Sequence, residues 1–179
     1  AVERVLALTA QIPGAHPVLC GLGSAYLAED DVDFITNTRF YYAKLQHFSD
    51  LRRAMEVDRI CKIAIFARGA EAAVYPALKT LEPELAVALS GSSWVDVMNP
   101  DVSKGAALAV LRAKLGISAE ECMVFGDYLN DLSMLRGCPN GYAMKNAHPA
   151  LKAAAAHVTD EDNDHDGVLR VLRREFNLI

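Results

Sequence analysis

No apolar stretch in this sequence is long enough to cross a membrane, since a spanning helix needs about 18 or more such residues. The sequence does not open with a basic and then apolar segment, so we expect no secretory leader. No run of about five basic residues occurs, and 18 basic against 23 acidic residues leave a net charge of −5. Because nucleic-acid binding depends on clustered Lys and Arg, we expect neither a membrane nor a nucleic-acid partner.

Cysteine is also scarce. Cys20, Cys61, Cys122 and Cys138 lie far apart and form no C-x-x-C pair. In a chain of this length, that spacing argues against a disulfide scaffold and favours reduced, mostly buried thiols in a cytoplasmic protein. With 179 residues, of which 52% are hydrophobic, the chain can build one sizeable core or two small units that share one.

The pattern of predicted elements changes near residue 98. Before it, strands such as RICKIAIFA mix with helices, and Pro76 is expected to break the helix predicted in GAEAAVYPALKTLE. After it, the short strands CMVFGD, GYAM and HVT alternate strictly with helices, which favours a parallel sheet covered on both faces. We predict an α+β unit over residues 1–97 and part of a doubly wound, Rossmann-like α/β domain over residues 98–179.

The first helix of the second unit is predicted in SKGAALAVLRAKLG. Leu108, Leu111 and Leu115 recur at helical spacing and mark one apolar face of this helix. Gly116 is expected to end it.

Several polar residues follow one predicted strand in MVFGDYLNDLSML. The strand ends at Phe125, Gly126 allows a sharp exit, and Asp127, Asn130 and Asp131 come next. In open parallel sheets, ligands bind at the carboxyl ends of the strands. Two close carboxylates repel each other unless a cation lies between them, and Mg²⁺ prefers oxygen ligands. Capping of the next helix would account for one of these polar residues but not for all three, so we predict a functional site here.

Lys104 lies on the first turn of a predicted helix, an end that is already positive because of the helix dipole. An anion would resolve that conflict, since helix N-termini bind phosphate readily, and Gly105 would let the backbone come close. Taken alone, a solvated surface lysine is the better interpretation. Together with the GDYLND segment, Lys104 predicts a phosphate site.

These motifs resemble those of a known family. The Lys-Gly pair at Lys104, then GDYLND, then Met134 resemble motifs III and IV of the haloacid dehalogenase superfamily. NPDVSKGAAL, YAMKNAHPALKAAA and VTDEDNDHDGV are similar to segments of its Cof-like branch, the subfamily IIB sugar phosphatases. The resemblance covers residues 98–179 in order, whereas residues 1–97 resemble the cap domain of that branch only loosely. P-type ATPases share G-D-x-x-N-D, but this chain has no membrane segments.

The resemblance implies Mg²⁺-dependent hydrolysis of the phosphate monoester of a sugar or a similar small metabolite through an aspartyl-phosphate. Asp127 would bind Mg²⁺, and Asp131 would support the metal site and orient Lys104. Lys104 would neutralise charge on the phosphate, and Asn130 would hydrogen-bond it. Residues 1–97 would form the cap that selects the substrate.

The letters of the acidic segment TDEDNDHDGV also match parts of two other motifs, a calcium loop and a nucleophile motif. As a calcium loop that starts at Asp162, it would place Arg173 where a bidentate Glu is required. As the D-x-D-G-[TV] nucleophile motif, Asp164 would have to follow an apolar strand, and it follows TDEDN instead. The resemblance implies that this loop forms the rim of the active site through Thr159 and Asn163.

We expect the nucleophilic aspartate of this chemistry to lie outside the chain. Asp31 and Asp33 also form a D-x-D pair, but Glu29 and Asp30 precede it and Phe34 follows it, so neither flank fits. The chain is therefore expected to be N-terminally truncated, inactive alone, and able to form homo-oligomers through an exposed sheet edge. Two alternatives stay open: a non-catalytic phosphate-binding or regulatory protein, and a phosphomutase of the same fold.

Overall fold

The computed structural model describes residues 1–178 and divides the chain into two compact units. The first unit ends at Pro100 and the second begins at Asp101. The boundary predicted near residue 98 lies beside this division, while the roles of the two units stay predictions. Among residues 1–178, no helix combines the length and the apolar character that a membrane crossing requires.

The first unit is built on a six-stranded sheet. Its strands are β1 (His16–Gly21), β2 (Ala25–Leu27), β3 (Leu45–His47), β4 (Ile60–Phe66), β5 (Ala86–Gly91) and β6 (Trp94–Met98), in the order β3-β2-β1-β4-β6-β5. Its helices are α1 (Val2–Thr9), α2 (Val32–Tyr41), α3 (Ala54–Val57), α4 (Ala70–Ala73) and α5 (Tyr75–Lys79). All strand pairs are antiparallel except β2 with β3, as expected for an α+β unit.

Side chains alternate between the two faces of this sheet. On one face, Leu19, Ile63 and Val95 are almost completely buried, and α1, α4 and α5 pack against the strands. On the opposite face, Phe34 of α2 packs with Val18, and their cluster includes Leu27, Ala64, Phe66 and Trp94. The core of the first unit therefore lies on both faces of one sheet.

Local sequence signals explain the breaks between helices. The Asp31 carboxylate accepts a hydrogen bond from the Phe34 amide at 2.7 Å and so caps α2. Pro76 breaks the predicted helix into α4 and α5, because proline lacks the N–H that a continuous helix needs.

The second unit contains a three-stranded parallel sheet, which confirms the predicted α/β class. The strands are β7 (Met123–Gly126), β8 (Asn140–Ala143) and β9 (His157–Val158), in that order. The helices are α6 (Lys104–Leu115), α7 (Leu132–Arg136), α8 (Pro149–Ala154) and α9 (Gly167–Phe176). The Ser103 hydroxyl caps α6, and Gly116 ends it with φ of 67°, as the sequence predicts.

The apolar face predicted for α6 is covered only in part. Leu108 packs against the core of the second unit, whereas Leu111 and Leu115 are 53% and 62% exposed. Within the described part of the chain, β7 and β9 form the two edges of the sheet. Self-association through such an edge stays a prediction.

Replacing Phe34 by Ala should lower the free energy of unfolding by about 3–5 kcal/mol, because Phe34 is fully buried and the change leaves a cavity. Phe40→Ala in the same helix is the control, since Phe40 is 81% exposed. Urea unfolding followed by circular dichroism measures both. Equal losses for the two variants would contradict this packing.

Candidate active site

The loops that leave β7, β8 and β9 lie at the carboxyl edge of the parallel sheet, where ligands bind in open α/β folds. The first loop carries Asp127, Asn130 and Asp131. The third carries Thr159 and Asn163. Lys104 comes from the start of α6. The predicted site residues thus all belong to the second unit, and the sheet order brings their segments to one region.

The Asp131 side chain is the best-connected group of this region. It is buried, with 3% of the residue exposed, and its Oδ1 atom forms an ion pair with the Lys104 ammonium. Its Oδ2 atom accepts hydrogen bonds from the Asp127 amide at 3.0 Å and the Tyr128 amide at 3.4 Å. One carboxylate therefore holds both the lysine of α6 and the loop that presents Asp127.

Two glycines allow this close packing. A Cβ atom on Gly126 would lie 2.5 Å from the Asp131 Cβ and 2.8 Å from its carboxylate. A Cβ on Gly105 would lie 2.7 Å from the carbonyl of Ser133, whose hydroxyl accepts a hydrogen bond from the Gly105 amide at 3.1 Å. The start of α6 and the start of α7 are thereby fixed against each other, and Lys104 is placed beside Asp131.

Backbone contacts fix the position of the β7 strand end. The Met144 amide donates to the Gly126 carbonyl and the His148 amide donates to the Asp127 carbonyl, each at 2.9 Å. The ring of His148 also meets the Tyr128 ring edge-on, with centroids 5.4 Å apart. The loop after β8 therefore supports the backbone that carries Asp127.

Thr159 and Asn163 lie in the loop after β9. Thr159 is buried, and its hydroxyl accepts from the Lys145 amide at 2.9 Å and donates to the Glu161 carbonyl at 2.6 Å. Asn163 is exposed, and its Oδ1 accepts from the Asn146 side chain at 2.5 Å. Thr159 thus uses its hydroxyl to hold the loop together, while Asn163 joins the loops after β8 and β9.

In the acidic segment around Asp162, the Asp162 carboxylate accepts hydrogen bonds from residues of the same segment. Asp162 accepts from the Asp164 amide at 3.1 Å and from the His165 ring at 2.5 Å, and this contact lowers the pKa of Asp162 and raises that of His165. Asp166 adopts φ of 58° before α9. A Cβ on Gly167 would lie 2.9 Å from the Asp162 carbonyl, so glycine is needed there.

Sequence reasoning assigned no role to two polar residues at the end of β8. The Lys145 ammonium forms an ion pair with Glu161 at 3.0 Å, a contact that lowers the pKa of the Glu161 carboxyl. Asn146 bonds to Asn163, as described above. Both residues lie in the loop that leaves the carboxyl end of β8, and the rule that selected Asp127 would have selected them too.

The residues present fit part of a magnesium site. Asp127 is exposed at the strand end, and Asn130 Oδ1 is buried without a hydrogen-bond partner among the described residues. Such an unpaired oxygen costs about 1–3 kcal/mol unless a ligand or ion satisfies it. Both oxygens of Asp131 are already engaged, which favours an orienting role over direct metal binding. No three His, Cys, Asp or Glu side chains within residues 1–178 are grouped so that they could hold a metal ion by themselves.

Comparison with known proteins shows the family of the chain. Residues 1–172 match the family of haloacid dehalogenase-like hydrolases. The chain belongs to that family. An HMP-PP phosphatase of Cronobacter sakazakii is 32% identical over 137 residues, which cover 75% of this chain and 50% of that protein. A 5-amino-6-(5-phospho-D-ribitylamino)uracil phosphatase of Bacillus subtilis is 38% identical over 90 residues, which cover 50% of this chain and 36% of that protein.

A solved structure supports the fold of this haloacid dehalogenase-like chain. It is a HAD subclass IIB sugar phosphatase at 23% identity, and the superposition covers 99% of this chain and 66% of that one with a TM-score of 0.80. The haloacid dehalogenase-like fold is therefore shared over essentially the whole chain. The aligned part of the chain covers half or less of the length of each of these two curated relatives.

Gly126→Ala should destabilise the second unit by about 1–3 kcal/mol, because the added methyl group overlaps Asp131 and forces it to move. Gly137→Ala is the matched control, since a Cβ there would meet no atom closer than 3.4 Å. Thermal unfolding of the two variants compares them. A Gly126→Ala protein as stable as the control would show that the loop packs differently.

Asp131→Asn should lower the free energy of unfolding by about 1–3 kcal/mol, because the amide keeps the shape but removes the charge that faces Lys104. The loss stays moderate since the Lys104 side chain is 51% exposed and solvent screens the pair. Asp160→Asn is the control, because that carboxylate is 82% exposed. Unfolding in guanidinium measures the loss of stability in both variants. If the two variants gave the same unfolding curve, the proposed contribution of Asp131 to stability would be ruled out.

Proposed function

We propose that this chain is part of a Mg²⁺-dependent phosphatase that hydrolyses phosphate monoesters of sugars or similar small metabolites. The observation that carries the proposal is the half-exposed Lys104 ammonium, held by buried Asp131 at the carboxyl edge of a parallel sheet. The names of relatives support it, since the two curated relatives described above are named as phosphatases and the similar structure is named as a sugar phosphatase.

The proposed roles follow from charge and position. Phosphoryl transfer needs fixed positive charge and hydrogen-bond donors around the transferring group, because negative charge spreads over its oxygens. Lys104 would supply that charge without having to reorient, since Asp131 already fixes its ammonium. Asn130 would donate a hydrogen bond from its amide, and Asp127 would hold the metal. A bound Mg²⁺ would neutralise phosphate charge there.

The nucleophilic aspartate is proposed to come from outside this chain. The D-x-D pair at Asp31 fits no strand end, because Asp31 caps α2. Asp164 lies in a single 3₁₀ turn, Asn163–His165, rather than after an apolar strand. Neither pair is therefore offered as the attacking group.

The first unit is proposed to act as the cap that selects the substrate. A cytoplasmic location is also proposed, because Cys20, Cys61, Cys122 and Cys138 are all free thiols.

The chain alone should show no Mg²⁺-dependent hydrolysis of p-nitrophenyl phosphate, whereas the protein of the complete open reading frame should be active. In that protein, Lys104→Met should lower kcat at least about 100-fold, as expected when a group that stabilises transition-state charge is lost. Lys114→Met, on the exposed end of the same helix, is the control.

Three results would overturn the proposal. Hydrolysis by the chain alone would refute the missing nucleophile. Full activity of the Lys104→Met protein would refute the role of Lys104. Binding of inorganic phosphate without any hydrolysis by the complete protein would favour the regulatory alternative.

A further inference from the structure

Two of the four thiols meet at the start of the parallel sheet in the second unit. Cys122 directly precedes β7, and Cys138 lies two residues before β8. In the register of these strands, Met123 lies opposite Asn140. The two cysteines therefore lie beside each other, at the end of the sheet opposite to the candidate active site.

The Cys138 side chain is directed at the backbone of Cys122. Its thiol donates to the Cys122 carbonyl at 2.9 Å and lies 3.5 Å from the Ala119 carbonyl. Cys138 belongs to the apolar core of the second unit, and Cys122 packs against the same core. Neighbouring strands lie about 4.8 Å apart, and a disulfide joins residues whose Cα atoms are about 4.4–6.8 Å apart. Register and contact therefore place the two sulfurs within reach of a bond.

The two thiols differ in their access to solvent. Cys122 is half-buried and open to a small reagent, whereas Cys138 is 3% exposed. Burial raises the pKa of the Cys138 thiol, and the charge of Arg112 acts in the opposite direction. The Nε atom of Arg112 is itself buried, without a hydrogen-bond partner in the described part of the chain. Since a nearby cation favours the thiolate that attacks a disulfide, Cys138 can act as the second, resolving thiol.

The segment between the two cysteines carries the candidate active site. Residues 123–137 contain β7, the loop with Asp127, Asn130 and Asp131, and α7. A disulfide between the ends of this segment closes a loop of about 15 residues. Such closure restricts the unfolded chain and thereby stabilises the folded one. The redox state of the pair would therefore set the stability of the segment that presents Asp127.

We propose that Cys122 and Cys138 are a redox site, and that a low-molecular-weight disulfide converts them reversibly into a disulfide that closes this segment. The Cys122 thiolate attacks one sulfur of the small disulfide and displaces a thiolate. The Cys138 thiolate then attacks the Cys122 sulfur and displaces the second thiolate. The protein loses two electrons and two protons, and the small disulfide gains them as it becomes two thiols. This inference does not depend on the proposed phosphatase function.

The linkage is tested on the present chain after equilibration with oxidised glutathione, blocking of free thiols and digestion with trypsin without reduction. Because Arg136 lies between the two cysteines, they fall on separate peptides, residues 115–136 and 137–145. We expect a linked pair whose mass is that of the two peptides less two hydrogens, and which dithiothreitol separates. No linked pair, or a bond from Cys122 to Cys20 or Cys61 instead, would overturn the inference.

Thermal unfolding tests whether the bond stabilises the chain. The oxidised protein should unfold at least about 5 °C above the reduced one, as expected when a disulfide closes a loop of this length in a small unit. Cys122→Ala should abolish this difference while it leaves the buried Cys138 in place. Cys61→Ser is the matched control, because Cys61 is an exposed free thiol, and it should keep the difference. Equal midpoints for the oxidised and reduced protein, or a difference that Cys122→Ala retains, would refute the inference.

Discussion

The candidate active site depends on the contacts of one buried group, the carboxylate of Asp131. A carboxylate at 3% exposure is stable only if its charge is matched and its oxygens are bonded. Here Lys104 matches the charge, and the Asp127 and Tyr128 amides occupy the second oxygen. The same bonds that satisfy Asp131 therefore also set the position of the lysine and of the loop that presents Asp127.

This arrangement explains why small residues occur where they do. Gly126 and Gly105 are required because the Asp131 side chain and the Ser133 backbone occupy the space of a Cβ atom. The loop after β8 adds two hydrogen bonds to the end of β7 and so prevents it from shifting. Such rigidity would help a site that stabilises negative charge on a transferring phosphoryl group. Fixed dipoles and charges do not have to reorganise during the reaction.

Much of the fold could be predicted from local patterns. Apolar runs after residue 98 predicted the parallel strands, and Pro76 and Gly116 predicted a helix break and a helix end. The burial of α6 was predicted less well, since Leu111 repeats at helical spacing yet is 53% exposed. Periodicity indicates an apolar face, but it cannot indicate what lies against that face. The polar contacts of Asn146 were missed for a similar reason, because its partner is 17 residues away in the chain.

The sequence by itself determined the family, the element types and the residues that lie at strand ends, because these depend on local spacing and on recognisable motifs. Tertiary structure decided how those residues are used. Only the folded chain shows that the two carboxylate oxygens of Asp131 bond to Lys104 and to backbone amides. Only strand register places Lys62 of β4 beside Asp96 of β6. Pairing between distant segments is set by packing and register, which no local pattern contains.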